Sequence, residues 1–233
     1  MVSFQTFSAI LQEKKKLTED VLLLSFSAVP EFTFKAGQFV TIILESNGER
    51  KVRSYSILNP PSEKGKVELC VKIVEGGFAS NIFQKANLSE TFVMKGPLGH
   101  FVFDATFGNE QWFIGAGTGV TPFYSMILEH LPKHPEISFH LLMGFRHLKN
   151  VLFQDKFLEL EKKFTNFHYH LTLSKEENIS WRGLRGRVQQ HLPENLQGKT
   201  FYICGLKDLV LETRVLLLQK GVSPEKVKFE RYN

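Results

Sequence analysis

Gly115-Ala116-Gly117-Thr118-Gly119-Val120-Thr121-Pro122 lies between an apolar run of strand length, residues 111–114, and an apolar stretch over 122–131. Glycines at such a junction let the backbone come close to an anion, and Pro122 suits the first turn of a helix. A helix N-terminus offers free N–H groups and the positive end of its dipole, a ready place for a pyrophosphate. The spacing departs from the usual dinucleotide fingerprint, because Val120 stands where a third glycine is expected. After the next strand, Gly144-Phe145-Arg146 puts Arg146 near the place where an acidic residue would hold a ribose. On this loop alone, phosphate binding and a plain tight turn both stay open.

Toward the C-terminus, strand-length runs recur at 137–143, 167–173, 200–204 and 227–230. Helical spacing falls between them at 151–164, 188–191 and 208–220, the last stopped by Gly221. This alternation predicts a Rossmann-like parallel sheet with helices on both faces. Toward the N-terminus the pattern changes. β-branched and aromatic runs at 21–28, 39–44, 51–58, 67–74 and 91–95 read as short strands, with one helical segment near 81–85. Ser46-Asn47-Gly48-Glu49 carries Asn-Gly, the pair that accepts positive φ in a two-residue hairpin turn. Short strands with so little helix predict an antiparallel six-stranded β-barrel. The halves divide near residues 104–110, giving a barrel domain at 1–106 and an α/β domain at 107–233.

A length of 233 residues fits two domains of ordinary size. The net charge of +5 comes from scattered basic residues, so no block reads as a nucleic-acid arm. Lys14-Lys15-Lys16, the densest cluster, reads as a solvated turn between two strands, with a binding patch as the other reading. Cys70 and Cys204 lie within apolar runs, which favours a reducing compartment over a disulfide framework. Two cysteines cannot ligate an iron–sulfur cluster unaided. Neither a targeting segment nor an apolar run long enough to span a bilayer is present, so a cytoplasmic protein is expected.

Arg53-Ser54-Tyr55-Ser56 ends a strand of the barrel half. It offers a guanidinium for phosphate, a ring for stacking and a hydroxyl for a hydrogen bond, a set that suits a flavin. Alone, these four residues read equally as an ordinary alternating strand. Their company decides. Leu69-Cys70-Val71-Lys72, Gly77-Phe78-Ala79-Ser80-Asn81, Gly96-Pro97-Leu98-Gly99, Gly117-Thr118-Gly119-Val120-Thr121-Pro122-Phe123 and Cys204-Gly205-Leu206-Lys207 follow in order. With these motifs the chain resembles the ferredoxin–NADP reductase superfamily over essentially its whole length.

The resemblance implies a flavoprotein reductase that binds FAD and takes NADPH or NADH. Hydride would pass between nicotinamide C4 and flavin N5. Arg53 would hold the FAD pyrophosphate, Tyr55 would stack on the flavin, and Ser56 would hydrogen-bond near N5. Ser54, Val71 and Lys72 would add flavin contacts, although Lys72 reads equally as a solvated strand residue. Gly77, Phe78, Ala79 and Ser80 would offer donors to the pyrophosphate at a helix start. Gly117, Thr118, Gly119 and Thr121 would meet the nicotinamide nucleotide, with Arg146, Ser174 and Lys175 toward its ribose. Cys204 and Gly205 would line the nicotinamide site. Ser56, Cys204 and Glu230 form the expected catalytic set, acting near the flavin without any nucleophile.

The C-terminus Glu230-Arg231-Tyr232-Asn233 departs from the family's plant-type ending, which stops at a tyrosine. Tyr232 covering the flavin and Tyr232 as a plain chain end both remain open. Ser174-Lys175 with Arg182, Arg185 and Arg187 tilts the expectation slightly toward NADPH. Trp181-Arg182-Gly183, continuing to Gly186-Arg187-Val188, also resembles NADH-using reductases. No fused iron–sulfur segment is present, so the expected partner is a separate ferredoxin, flavodoxin or oxygenase component. Competing readings are an NAD(P)H:flavin reductase, an FAD-holding electron-transfer subunit, and a nucleotide-binding domain with an accessory barrel. His168 and His170 share a strand face but make a weak metal case, so no metal is expected.

Overall fold

A computed structural model describes residues 4–232. The chain divides into two compact units, one up to Val102 together with Tyr124–Glu129, the other Phe103–Phe123 together with the chain from His130 onward.

In the first unit, β1 (Gln5–Thr18), β2 (Val21–Ser27), β3 (Phe39–Ser46), β4 (Glu49–Ser56), β5 (Lys66–Lys72) and β6 (Thr91–Leu98) form one antiparallel sheet. Their order is β4-β3-β6-β1-β2-β5, and the two edges meet at an antiparallel bridge between Ile57 and Leu69. The sheet therefore curls into a barrel. Alternate residues fill it: Phe7, Leu24, Phe26, Ile42, Leu69, Phe92 and Met94 are all buried. Asn47 and Gly48 adopt φ of 51° and 76°, the turn that the Asn-Gly pair predicts between β3 and β4. Helix α1 (Phe78–Lys85) drops Phe83 into this core.

Lys14, Lys15 and Lys16 lie within β1, opposite Leu24, Leu23 and Leu22, and not in a turn. The turn falls at residues 19–20 instead. Irregular register on either side of the lysines lets the strand run on while their heads stay in water. Lys14 has a further task. Its ammonium donates to the carbonyls of Gln84 at 3.0 Å and Ala86 at 2.6 Å, so it closes the C-terminal end of α1.

The second unit holds β7 (Glu110–Ala116), β8 (Ser138–Phe145), β9 (Phe167–Leu173), β10 (Leu184–Arg185), β11 (Thr200–Leu206) and β12 (Val227–Tyr232). Every pairing is parallel, in the order β10-β9-β8-β7-β11-β12. Phe113 stacks on Tyr202 at 5.0 Å and on Phe139 at 5.9 Å, which explains part of the heavy use of phenylalanine. On that face lie α2 (Val120–His130) and α3 (Gln154–Lys163), through Phe123 and Phe157. The other face packs α4 (Lys207–Gln219) through Val210 and Leu217 against Ile114 and Ile203. Helix α3 starts later than its spacing predicts, because Phe153 at its N-cap takes a left-handed φ of 58°. The two-residue strand β10 is too short to leave a sequence pattern.

Candidate functional site

Strand β4 is an edge strand, and along it Arg50, Val52, Arg53 and Ser54 are all exposed before Ser56 turns into the core. An edge strand that exposes three successive residues, Val52 to Ser54, has room for a ligand. Arg53 donates to the Val52 carbonyl at 2.9 Å, and among the described residues it has no carboxylate partner. The Tyr55 ring is fixed edge-on against Phe83 at 5.6 Å. Its hydroxyl pKa is pushed up to about 12 by burial, against the pull of the Arg53 charge. Such a tyrosine stays neutral.

Helix α1 meets this edge from the side. Lys51 of β4 sits over the Phe78 ring at 4.8 Å, and Phe83 holds Tyr55. Gly77 is the N-cap and supplies no side-chain oxygen, nor is any acid present in the first turn. The first amides of α1, at Phe78, Ala79 and Ser80, are therefore offered to an external acceptor. Ser80 is 5% exposed, and its hydroxyl accepts the Val74 N–H at 2.9 Å, which shapes the turn leading into the helix. An unpaired guanidinium, an uncapped helix start and a fixed aromatic ring suit a group with a diphosphate and a flat ring system, as FAD has. Val71 belongs to the core, so only its backbone is available to a ligand. Lys72 forms an ion pair with Asp20, and this contact helps hold the Asp20 carboxyl below its usual range against the cost of burial.

The second unit has its own focus. From β7 the chain passes to β8 on one side, yet β11 lies on the other side of β7. This is a topological switch point, where open parallel sheets leave a crevice beyond the strand ends. The two loops flanking it are Gly117–Gly119 after β7 and the Leu206–Lys207 start of α4 after β11. Gly117 takes φ of 55° with open space around its Cα. Gly119 is needed for a different reason: a Cβ there would fall 2.3 Å from the Cys204 carbonyl oxygen. The glycine loop thus lies directly on the Cys204-Gly205 backbone. Thr121 donates to the Thr118 carbonyl at 2.8 Å and is almost fully buried, so it holds the loop in shape.

Cys204 is fully buried. Burial and the neighbouring Glu230 charge push its thiol well up, partly offset by a hydrogen bond with Tyr232. The thiol is neutral, a state without nucleophilic reactivity. Glu230 pairs in register with Cys204, and Tyr232 with Leu206. Asn233 lies outside the described residues.

At the ends of β8 and β9, Ser174 N–H donates to the Phe145 carbonyl and Lys175 N–H to that of Arg146, both at 2.9 Å. Arg146 and Lys175 are both exposed. Glu176, which sequence reading passed over, ties the two loops together by accepting Leu148 N–H at 2.7 Å and Asn178 N–H at 3.0 Å. These bonds lower its carboxyl pKa. His168 and His170 do not converge on a metal. They stack with His140 at 4.6 and 5.7 Å, and no group of three or more metal ligands occurs among the described residues.

Residues 8–103 match a family described as an oxidoreductase FAD-binding domain, and residues 113–214 one described as an oxidoreductase NAD-binding domain. Ferredoxin–NADP reductase B of Sorangium cellulosum is 32% identical over 245 residues, covering 100% of both chains. The reductase component of a Pseudomonas phenol 2-monooxygenase is 29% identical over 205 residues, and the match spans 58% of that longer chain. Among solved structures, a ferredoxin–NADP+ reductase from Neisseria gonorrhoeae with bound FAD and NADP superposes with a TM-score of 0.86 at 20% identity. That likeness covers 97% of this chain and 98% of the other, and it concerns the fold.

Proposed function

This chain belongs to the ferredoxin–NADP reductase superfamily, and from that premise we propose how its residues divide the work of an FAD-dependent NAD(P)H oxidoreductase. FAD is assigned to residues 1–106 and the nicotinamide dinucleotide to residues 107–233. The chemistry FAD supplies when bound is the conversion of a two-electron hydride into single electrons. The protein's part is to bind, orient and exclude water.

Arg53 and the first amides of α1 clamp the pyrophosphate of FAD, with Ser54 and Ser80 beside them. Tyr55 presents a neutral ring to the flavin, and Ser56 gives a hydrogen bond near its reactive edge. Val71 contributes backbone, while Lys72 reaches the cofactor only by leaving Asp20. In the other half, the loop of Gly117, Thr118, Gly119 and Thr121 receives the dinucleotide pyrophosphate. Arg146, Ser174 and Lys175 hold the far ribose, which favours NADPH. Cys204 and Gly205 wall the nicotinamide end, and Tyr232 is tied there through the Cys204 thiol. Glu230 keeps the local field negative.

The reading is carried by one observation: full-length likeness to a ferredoxin–NADP reductase in a chain whose flavin-type motif ends on the uncapped start of α1 and whose glycine loop lies at the topological switch point of the parallel sheet. Relatives named as reductase or electron-transfer components of oxygenases support a separate partner, such as a ferredoxin, a flavodoxin or an oxygenase component. We place the reaction in the cytoplasm. Two buried cysteines outside any disulfide suit that compartment, and no helix among the described residues is long and apolar enough to cross a membrane. The test is turnover with NADPH and purified ferredoxin or flavodoxin after gel filtration. Retained flavin and reduction of one carrier are expected. Loss of flavin on the column, with free FAD consumed as substrate, would instead indicate a flavin reductase.

A further inference from the structure

Val227-Lys228-Phe229-Glu230-Arg231-Tyr232, strand β12, ends the parallel sheet. β11 pairs with it on one side, and among the described residues no strand pairs with the other. An open edge is a template for a further strand unless a proline, a bulge or a covering element blunts it. β12 has no proline, and its ladder with β11 runs from Val227 to Tyr232 without a shift. Its border on the α4 side is apolar. Phe229 pairs in register with the buried Ile203, on the face where α4 packs, yet is itself exposed. The Arg214 guanidinium lies over the Phe229 ring at 5.2 Å, so that side of α4 adjoins β12. Leu211 lies one turn from Arg214 and Val215 one turn from Leu211, and both are exposed.

Charges on the other face of β12 select a register. Lys228 and Glu230 alternate with Phe229 and so share the face away from α4. When two identical strands pair antiparallel about a two-fold axis, one residue faces its own copy and its neighbours cross over. Centred on Phe229, the pair sets the two Phe229 residues together and Lys228 opposite Glu230 of the other copy, twice. Centred one residue either way, it sets Lys228 against Lys228 or Glu230 against Glu230, and like charges directly opposite are unfavourable. Within its own chain Lys228 meets the Asp104 carboxylate only at 4.0 Å and lies over the Phe107 ring. The same axis keeps both α4 helices on one face, where Leu211 and Val215 of each copy flank the Phe229 pair. Independently of the cofactor assignments, we therefore propose that β12 is a self-association edge. A second copy of this chain adds its own β12 there, antiparallel and centred on Phe229, so that two six-stranded sheets become one.

Sedimentation equilibrium of the purified full chain at about 100 μM should give twice the chain mass. Phe229→Arg should raise the dimer dissociation constant about 30-fold or more. Lys228→Glu, which brings a second carboxylate against Glu230, should raise it roughly 2- to 30-fold, and adding Glu230→Lys should restore it. Register is read by cross-linking. Residues facing each other in such a pair have Cα atoms about 4.5–5.5 Å apart, within disulfide reach. Under mild oxidation Phe229→Cys should therefore become a covalent dimer, whereas Arg231→Cys should remain a single chain; the native Cys70 and Cys204 are buried. A single-chain mass at that concentration, a dimer indifferent to Phe229→Arg, or cross-linking through position 231 in place of 229 would each overturn the proposal.

Discussion

In the assignment proposed above, the flavin-type motif on β4 and the glycine loop after β7 would each hold a phosphate, by opposite means. On β4 the active parts are side chains on an exposed edge strand, with Arg53 bound to nothing but its own neighbour's carbonyl. After β7 the active parts are backbone amides, and the loop lies flat on the Cys204-Gly205 backbone with no room for a Cβ at Gly119. The first site is therefore separable from its fold, and the second is part of its fold. Mutations should tell them apart.

The largest effect is expected at Gly119. Gly119→Ala drives a methyl into the Cys204 carbonyl, and overpacking of this kind costs about 1–3 kcal/mol, toward the upper end where the obstacle is backbone. Urea unfolding should show the α/β half weakened while the barrel half keeps its own transition; an unchanged midpoint would mean that the loop is looser than described.

Acid is expected to act on the same half. His140 is held down to about 4 by burial and by the neighbouring His168 and His170, with Glu110 opposing and Lys199 adding to the depression. Its unfolded value is higher, so the unfolded state binds the extra proton. Stability is then fully present above about pH 6.5 and falls as pH drops toward 4, by up to about 3 kcal/mol. In His140→Gln the dependence of stability on pH over that interval should flatten, as followed by Trp112 fluorescence during unfolding.

Arg53→Ala should separate binding from folding on the barrel side. Loss of a charge-assisted phosphate contact of about 1.5–3 kcal/mol raises the FAD Kd roughly 10- to 100-fold, with the unfolding midpoint of the apoprotein unchanged. Full flavin content in the mutant would remove Arg53 from the site. The smallest effect belongs to Lys14→Met, which uncaps the C-terminal end of α1 at a cost of about 0.5–1 kcal/mol in the barrel and little change in FAD affinity.

The same contrast governs what could be read from the sequence. Strand–helix alternation, the Asn47-Gly48 turn and the ordered motifs depend on local pattern, and they gave both architectures. Features set by partners distant in the chain left no such trace. Lys72 is claimed by Asp20 only because β2 and β5 pair Val21 with Lys72. Lys14 looks like part of a charged turn until α1 is laid across its strand. The need for glycine at 119 is visible, whereas its reason, contact with residue 204, is not. Trp181 reads as part of a motif, and only the close approach at Gly183 reveals how firmly its ring is held.

The central claim is that one chain holds FAD and accepts hydride from a nicotinamide. Its most direct test is an absorption spectrum of the purified protein, followed by anaerobic titration with NADPH and then NADH. Flavin bands that bleach at one equivalent, at lower concentration with NADPH than with NADH, are the predicted result. A colourless folded protein, or a bound flavin that neither nucleotide reduces, would contradict the account.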